Sequence, residues 1–134
     1  MIHETVFQPR ATEINFAGHV SNTVLPVWYE EALQDFLRQQ VSKVVSPYMV
    51  VRMDQLFKRE MFHGTDVVVK TSVQKIGNTS FTLFQETWQN NTKAAEATTV
   101  LVNVSDTKNR PVSLTEELCK FLSGYLKEIA YEDC

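Results

Sequence analysis

The sequence has 134 residues and a mass of 15.4 kDa, which is the size of one domain with an ordinary hydrophobic core. With 43% hydrophobic and 22% charged residues, 4 Gly and 4 Pro, its composition excludes a disordered, collagenous or low-complexity chain. The net charge is −3, from 13 basic and 16 acidic residues, and no basic cluster exceeds Lys58-Arg59, so a nucleic-acid partner held by phosphate neutralisation is not expected.

The first part of the chain predicts a strand followed by a long helix. Residues 2–15 mix polar residues with Thr, Val and Phe without a helical period, which indicates a first strand. Residues 24–41 have the spacing of a helix with a wide buried face. Its predicted buried positions are Leu25, Trp28, Tyr29, Ala32, Leu33, Phe36, Leu37 and Val41. Ser21 or Asn22 is expected to cap this helix, and Pro26, which lacks an amide hydrogen, predicts an irregular first turn.

The second part of the chain predicts four strands and a final helix. The strands, rich in Val, Thr, Phe and Tyr, are expected at residues 48–61, 65–76, 80–90 and 94–105. They are separated by the short turn sequences His63-Gly64, Gly77-Asn78 and Asn90-Asn91, so neighbouring strands should be antiparallel. After a polar connection, Ser113 or Thr115 is expected to cap a helix. The apolar positions of this helix are Leu118, Leu122, Tyr125, Leu126 and Ile129.

This order of elements predicts a single domain over residues 1–134. The order is β-α-β-β-β-β-α, without a linker or an internal repeat. A sheet and a long helix with a wide apolar face must cover each other, because neither can bury its hydrophobic side alone. The predicted fold class is therefore α+β, with an antiparallel five-stranded sheet on one long helix. Such a sheet has edges to protect, and edge-to-edge pairing in a dimer is one solution.

The N-terminus and the cysteines indicate a cytoplasmic protein. The first residues contain no basic segment and no long apolar run, and no run of about 18 apolar residues occurs anywhere. We therefore expect no signal peptide and no membrane segment. Cys119 and Cys134 lack the spacing of zinc ligands or of a disulfide framework, so we expect two free thiols and no metal site.

Several segments, taken in chain order, carry a family resemblance. They are EINFAGHVSN at residues 13–22, WYEEA at 28–32, RMDQLFKR at 52–59, KIGNTSF at 75–81 and DTKNRPV at 106–112. Together they resemble the hotdog-fold thioesterases of the 4-hydroxybenzoyl-CoA thioesterase type. In that family the first strand runs into a loop of the form (E/D)-T-D-x-x-G-H-V-x-N, and a helix with W/F-x-E-E-A follows.

The resemblance implies a fold, a reaction and an assembly. The fold is the hotdog fold, in which the sheet wraps around one long central helix and a C-terminal helix follows. The reaction is the hydrolysis of acyl-CoA or acyl-carrier-protein thioesters without a metal or a cofactor, coenzyme A being part of the substrate. The assembly is a homodimer, often paired into a homotetramer, with active sites at the dimer interface.

Asn15 occupies the position of the catalytic carboxylate in the family pattern. An amide is neither a base nor a good nucleophile, so Asn15 can neither take a proton from water nor form an anhydride. It can still hold a water molecule or the substrate by hydrogen bonds. By the resemblance, backbone amides at the helix N-terminus near Asn22 stabilise the oxyanion, which the helix dipole favours.

Another group must then supply the base. His19 lies in the same loop, and a histidine side chain ordinarily titrates at about pH 6.5, which suits this role. Glu13 shares strand parity with Asn15 and is a second candidate. Glu30 and Glu31 lie near the helix start, where at most one can face the pocket. A structural interpretation also exists for each: His19 braces the loop, Glu13 is solvated, and Glu30 and Glu31 form the polar helix face.

Substrate contacts are predicted at Gly18, Trp28 and the turn that contains Gly77, Thr79 and Ser80. The turn is first of all a hairpin connection, and by the resemblance it is where the pantetheine arm or the nucleotide of CoA lies. Trp28 is first of all a core residue at helical spacing, and its packing affects the depth of the pocket.

Two functional hypotheses of different classes remain open. The first is a small acyl-CoA thioesterase in which water attacks the thioester near Asn15. The second is an acyl-thioester binding protein with little or no hydrolysis, because position 15 lacks the carboxylate. A purely structural dimer explains the loop residues least well.

Overall fold

The computed structural model describes residues 1–43, 45–107 and 110–127. The α-helices in these ranges are α1 (Leu25–Leu37) and α2 (Glu116–Ser123). The strands are β1 (His3–Phe7), β2 (Tyr48–Phe57), β3 (Val67–Ile76), β4 (Ser80–Gln89) and β5 (Thr92–Asn103). Two short 3-10 turns, Ala11–Glu13 and Asn22–Val24, lie between β1 and α1.

The strands form one antiparallel sheet in the order β1-β3-β4-β5-β2, so β1 and β2 are its edges. α1 packs on one face of this sheet, and its buried residues are Leu25, Trp28, Tyr29, Ala32, Leu33, Phe36 and Leu37. β4 alternates buried and half-buried side chains along its whole length, which is the pattern of a strand with one face against the core. The predicted α+β fold, with the sheet around one long helix and a C-terminal helix, is confirmed.

Buried polar side chains fix α1 against the middle of the sheet. Thr87 Oγ1 donates a 2.6 Å hydrogen bond to the Tyr29 hydroxyl, and Gln85 Nε2 donates 3.1 Å bonds to the Tyr29 carbonyl oxygen and to Thr71 Oγ1. Burial raises the pKa of Tyr29, so the phenol stays neutral. Buried polar groups need particular partners, whereas apolar packing tolerates sliding. These bonds therefore hold the first half of α1, and the loop before it, at one place on the sheet.

The first strand is shorter than the sequence predicted. β1 ends at Phe7, not at residue 15, because Pro9 has no amide hydrogen to donate to the sheet. The chain then forms the turn Ala11–Glu13 and enters the loop that leads to α1. The alternation expected of a strand therefore does not reach residues 11–15.

The helices also differ from their predicted bounds. Asn22–Val24 is a 3-10 turn, which agrees with the irregular start expected near Pro26. Val41 is 95% exposed and lies beyond the end of α1. α2 is capped by Thr115, whose Oγ1 accepts a 3.1 Å hydrogen bond from the amide of Leu118.

Cys119 is a half-buried free thiol on α2. Cys134 and Ile129 lie outside the described residues. None of the described helices combines the length and the apolar character that a membrane span needs, and the cytoplasmic location stays a prediction. Within the described ranges, no three His, Cys, Asp or Glu side chains lie close enough together to hold a metal ion.

Asp35, on α1, links the helix to the edge strand β1. Its Oδ2 accepts hydrogen bonds from His3 Nε2 at 2.8 Å and from Thr5 Oγ1 at 2.7 Å. Burial alone would raise the pKa of Asp35, but these bonds outweigh burial and hold the pKa below its ordinary value. The native state therefore binds the proton less readily than the unfolded chain. The resulting stability is present above the unfolded-state pKa of about 3.9 and is lost as the pH falls through the lower native pKa.

We expect Asp35→Asn to be less stable than the wild type at pH 7 and to lose less of its remaining stability on acidification. The measurement is the free energy of unfolding in urea at several pH values between 7 and 3. Asp54→Asn is the matched control, because Asp54 is 60% exposed and its one ion pair among the described residues is with the exposed Arg52. Equal acid dependence of Asp35→Asn and the wild type would contradict the assignment.

Candidate active site

The loop between the first 3-10 turn and α1 folds back on itself. The amide of Asn15 donates to the carbonyl oxygen of His19 at 2.8 Å, and the amide of Ser21 donates to that of Glu13 at 2.9 Å. Gly18 lies near the tip of this small hairpin with a φ of +84°, a backbone conformation that favours glycine. The conformation of the loop is therefore enough to explain why a glycine stands at residue 18.

The side chain of Asn15 closes the loop. Its Oδ1 accepts hydrogen bonds from the amides of Ala17 and His19 at 3.0 and 3.1 Å. In the part of the chain that the structure describes, Nδ2 of Asn15 has no hydrogen-bond partner. The oxygen is committed to the fold of the loop, and the NH2 group is the part of the side chain that can hold water or a substrate.

The segment that follows β2 lies beside this loop. The amide of Val20 donates to the carbonyl oxygen of Met61 at 2.7 Å, and His19 and Phe62 form an isolated antiparallel bridge. Phe62 is held in turn by the buried Gln89, which accepts from its amide at 2.9 Å and donates to its carbonyl oxygen at 2.8 Å. The loop and the segment after β2 therefore form one supported unit at the end of the sheet.

His19 and Glu60 meet in this unit. Nδ1 of His19 lies 2.6 Å from Oε2 of Glu60. The imidazole also packs edge-on against the Phe62 ring, with centroids 5.1 Å apart and an interplanar angle of 82°. The side chain of His19 is 27% exposed and that of Glu60 is 62% exposed, so water reaches the pair.

Sequence reasoning missed Glu60. The predicted strand ran to residue 61, which would have left Glu60 on a regular edge strand. β2 instead ends at Phe57, because the amides of both Lys58 and Arg59 donate to the carbonyl oxygen of Ala94, at 2.8 and 2.9 Å. Two amides on one acceptor turn the chain out of the ladder and towards the loop. The only sequence signal at this point is the change from Leu56-Phe57 to the charged run Lys58-Arg59-Glu60.

Asn15, His19 and Asn22 line one cavity of about 260 Å³. The other residues that line it are Val20, Phe57, Lys58, Arg59 and Glu60. Three residues predicted to be catalytic are thus brought together, with the carboxylate of Glu60 beside them. An imidazole, a carboxylate and two carboxamides in one cavity can bind, orient and deprotonate a water molecule.

Asn22 is the first residue of the 3-10 turn that continues into α1. The cap of this turn is Ser21, whose Oγ accepts a hydrogen bond from the amide of Thr23 at 3.4 Å. Among the described residues, nothing accepts a hydrogen bond from the backbone amide of Asn22. An unpaired amide at the positive end of a helix favours negative charge nearby.

Glu13 and Trp28 lie outside this cavity. Glu13 Oε1 accepts a 2.8 Å hydrogen bond from the amide of Arg10 and so caps the turn Ala11–Glu13. Trp28 is only 3% exposed and stacks on Phe7, with ring centroids 5.3 Å apart at 17°. Both residues line a different surface cavity beside β1. The prediction that Glu13 and Asn15 point to the same face of a strand is wrong, because the chain forms a 3-10 turn at Ala11–Glu13.

The turn that contains Gly77, Thr79 and Ser80 is at the far end of the sheet. The Gly77 amide donates to the Ser80 carbonyl oxygen at 2.7 Å, and the Thr79 carbonyl oxygen accepts from the Asn103 amide at 2.8 Å. Asn103 ends β5, whereas Ala94, which contacts the chain at the cavity, lies near its start. At about 3.3 Å per residue these positions are roughly 30 Å apart. Within one chain, the turn is therefore not part of the cavity.

A larger surface cavity of about 440 Å³ adjoins the first and shares Lys58, Arg59 and Glu60 with it. Lys58 Nζ lies 3.6 Å from Glu96 Oε1, and a hydrogen bond from Lys93 lowers the pKa of Glu96, so that carboxylate keeps its charge. Within the described ranges, Arg59 forms no ion pair, and it is exposed. The junction of the two cavities thus offers a guanidinium to an anionic ligand.

Comparisons with known proteins agree with this fold. The model of a family described as the thioesterase-like superfamily matches residues 9–122, and a search of curated proteins gave no match. A predicted thioesterase from Bacillus stearothermophilus is 28% identical, with a TM-score of 0.89 over 97% of this chain and 100% of that chain. A Thermus thermophilus thioesterase complexed with coenzyme A and Zn is 22% identical, with a TM-score of 0.80 over 91% and 92%. A Staphylococcus aureus protein in complex with CoA is 10% identical, with a TM-score of 0.86 over 97% and 89%.

The antiparallel sheet around a central helix is the hotdog fold of the thioesterases that this chain resembles in structure. The family model spans residues 9–122, which is most of the chain, and the protein belongs to the thioesterase-like superfamily. This membership supports thioester hydrolysis as the general class of reaction.

The hydrogen bonds of Asn15 predict its effect on stability. Asn15→Ala removes the acceptor of two loop amides and should lower the free energy of unfolding by about 1 kcal/mol, since these bonds are exposed. Asn15→Asp keeps an oxygen acceptor and should stay within about 0.5 kcal/mol of the wild type. Urea denaturation of the three proteins tests this. Equal stability of Asn15→Ala and Asn15→Asp would show that Oδ1 does not hold the loop.

Proposed function

We propose that this protein hydrolyses an acyl-CoA or acyl-carrier-protein thioester to a free acid and a thiol, without a metal. The proposal is carried by the cavity in which Asn15, His19 and Asn22 lie together, beside Lys58 and Arg59. Superfamily membership supports the general reaction. The fold shared with two proteins whose structures contain coenzyme A supports a ligand of that type.

The reaction needs a nucleophile, a base and a site for the oxyanion. Water is the nucleophile, because the amide of Asn15 cannot attack, and Nδ2 of Asn15 is available to hold it. His19 takes a proton from this water as the water oxygen bonds to the thioester carbon. The carbonyl oxygen becomes an oxyanion, which the amide of Asn22 and the dipole of α1 stabilise. The oxyanion re-forms the carbonyl as the carbon–sulfur bond breaks, and the departing thiolate takes the proton from His19, which leaves a thiol, a free acid and a neutral base.

Lys58 and Arg59 suit the phosphates of CoA. Both residues line the two cavities where they join. With the acyl group in the smaller cavity, the thiol carrier would extend past these two side chains into the larger cavity. The guanidinium of Arg59 matches the geometry of a phosphate. A protein of net charge −3 can therefore bind an anionic substrate through one local basic pair.

The active unit is a homodimer, or a homotetramer built from dimers, paired through the edge strand β2. This edge exposes apolar side chains, with Val51 at 55%, Leu56 at 53% and Met49 at 47% exposure. Antiparallel pairing of β2 with its copy would set the Tyr48 end of the partner's strand beside the Phe57 end of this one. Residues 77–80 of the partner would then approach the cavity. This would explain why the sequence of that turn resembles the family pattern although the turn lies far from the cavity of its own chain.

A binding protein with little or no hydrolysis is the second candidate. The observation that favours it is that Asn15 provides no carboxylate and uses its oxygen for two loop amides. Such a protein would hold an acyl thioester in the same cavity. The two candidates differ only in whether the bound thioester turns over.

The wild type is expected to release thiol from at least one member of an acyl-CoA panel with short, long and aromatic acyl groups. The measurement is thiol release under steady-state conditions, with binding followed separately by calorimetry. Because the proposed base is not residue 15, Asn15→Asp should change kcat by less than about tenfold, which is 1.4 kcal/mol of barrier. Binding without turnover by the wild type, together with a large gain of activity in Asn15→Asp, would favour the binding protein.

A lysine on the edge of β2 tests the dimer. Val51→Lys is expected to shift the protein towards monomer and to lower kcat/KM, since the partner's turn is lost and a charged side chain blocks edge pairing. Analytical ultracentrifugation and thiol release measure the two effects. Val41→Lys is the control, because Val41 is 95% exposed and lies outside the sheet. A fully active monomer would contradict the composite site.

A further inference from the structure

We propose that Glu60 is a positioning residue that orients His19 as the general base. The inference rests on the proposed function and deepens it. The family pattern has a carboxylate at position 15, and this chain has an amide there. Glu60, from a different segment of the chain, places a carboxylate in the same cavity as Asn15.

The contact between the two side chains determines which nitrogen can act as the base. A neutral imidazole carries its proton on one nitrogen and a lone pair on the other. Oε2 of Glu60 lies 2.6 Å from Nδ1 of His19, so the carboxylate favours the tautomer with the proton on Nδ1. The lone pair is then on Nε2, which has no partner in the described ranges. When His19 takes the proton of the attacking water, Glu60 stabilises the imidazolium that forms.

The backbone holds both residues in place. The amide of His19 donates to Oδ1 of Asn15, and His19 forms the bridge with Phe62. Glu60 precedes Met61, whose carbonyl oxygen accepts from the amide of Val20. The two side chains therefore extend from paired segments that hydrogen bonds keep in register, which is what a preorganised base requires.

Among the described residues that line the cavity, His19 is the one that forms an ion pair with Glu60. The charged residues that line the cavity besides His19 are Lys58, Arg59 and Glu60. Lys58 pairs with Glu96, and Arg59 forms no ion pair in the described part of the chain. Glu60 has its ionic contact with His19. A carboxylate held against Nδ1 is what a developing imidazolium needs.

The test is a comparison of kcat and KM for the wild type, Glu60→Gln, Glu60→Asp, His19→Gln and the double variant with His19→Gln and Glu60→Gln. Glu60→Gln should lower kcat by at least about tenfold and change KM by less than about twofold. Glu60→Asp keeps the charge and should retain more of kcat. In the His19→Gln background, Glu60→Gln should have less than about a twofold further effect, because the two residues act as a unit. Glu4→Gln, an exposed carboxylate on β1, is the control.

Three results would overturn the proposal while the wild type is active. They are a Glu60→Gln variant with the wild-type kcat, equal kcat for Glu60→Asp and Glu60→Gln, and an undiminished effect of Glu60→Gln when His19 is already replaced. The last of these would make Glu60 a base or a nucleophile on its own. A wild type that turns over no thioester would instead overturn the proposed function. Thermal unfolding of each variant separates a loss of folding from a loss of catalysis.

Discussion

The wide apolar face of α1 is the constraint on which the rest of the structure depends. One side of the sheet must cover this face, so α1 lies along the sheet and the loop that leads into α1 lies at one end of the sheet. The bonds of Tyr29 with Thr87 and Gln85 then set the position of the helix along the strands. A polar cavity arises at that end of the sheet, because the loop and the segment after β2 meet there through backbone hydrogen bonds.

Asn15 stands where the family pattern has a carboxylate, and an amide at this position is compatible with the loop. Oδ1 still accepts from two amides, as an aspartate oxygen could, so the hairpin of residues 13–21 needs no acid at this position. In the mechanism that we propose, the carboxylate is that of Glu60, which acts through its contact with His19. In this account, the family's loop supplies the water site and the oxyanion site, while the segment after β2 supplies the carboxylate.

The sequence was sufficient for the fold, because the period of α1 and the turn residues between strands are local signals. The sequence could also predict that Asn15, His19 and Asn22 lie close together, because they belong to one loop. It could not predict Glu60, because the place of Glu60 depends on two amides sharing the Ala94 oxygen, which no local pattern predicts. Glu13 was misplaced for a different reason: Pro9 is a local signal that ends β1 before the alternation reaches residue 13, and the predicted strand ran past it.

The most direct test of the central claim, attack by water without a covalent intermediate, is a single turnover in H2 18O with the protein in excess over acyl-CoA. Mass spectrometry of the released acid and of the peptide that contains Glu60 follows the label. Because the amide of Asn15 cannot form an anhydride, we predict one 18O atom in the acid and none in Glu60. An unlabelled acid together with 18O in Glu60 would show that a protein carboxylate attacks the thioester and would contradict the account.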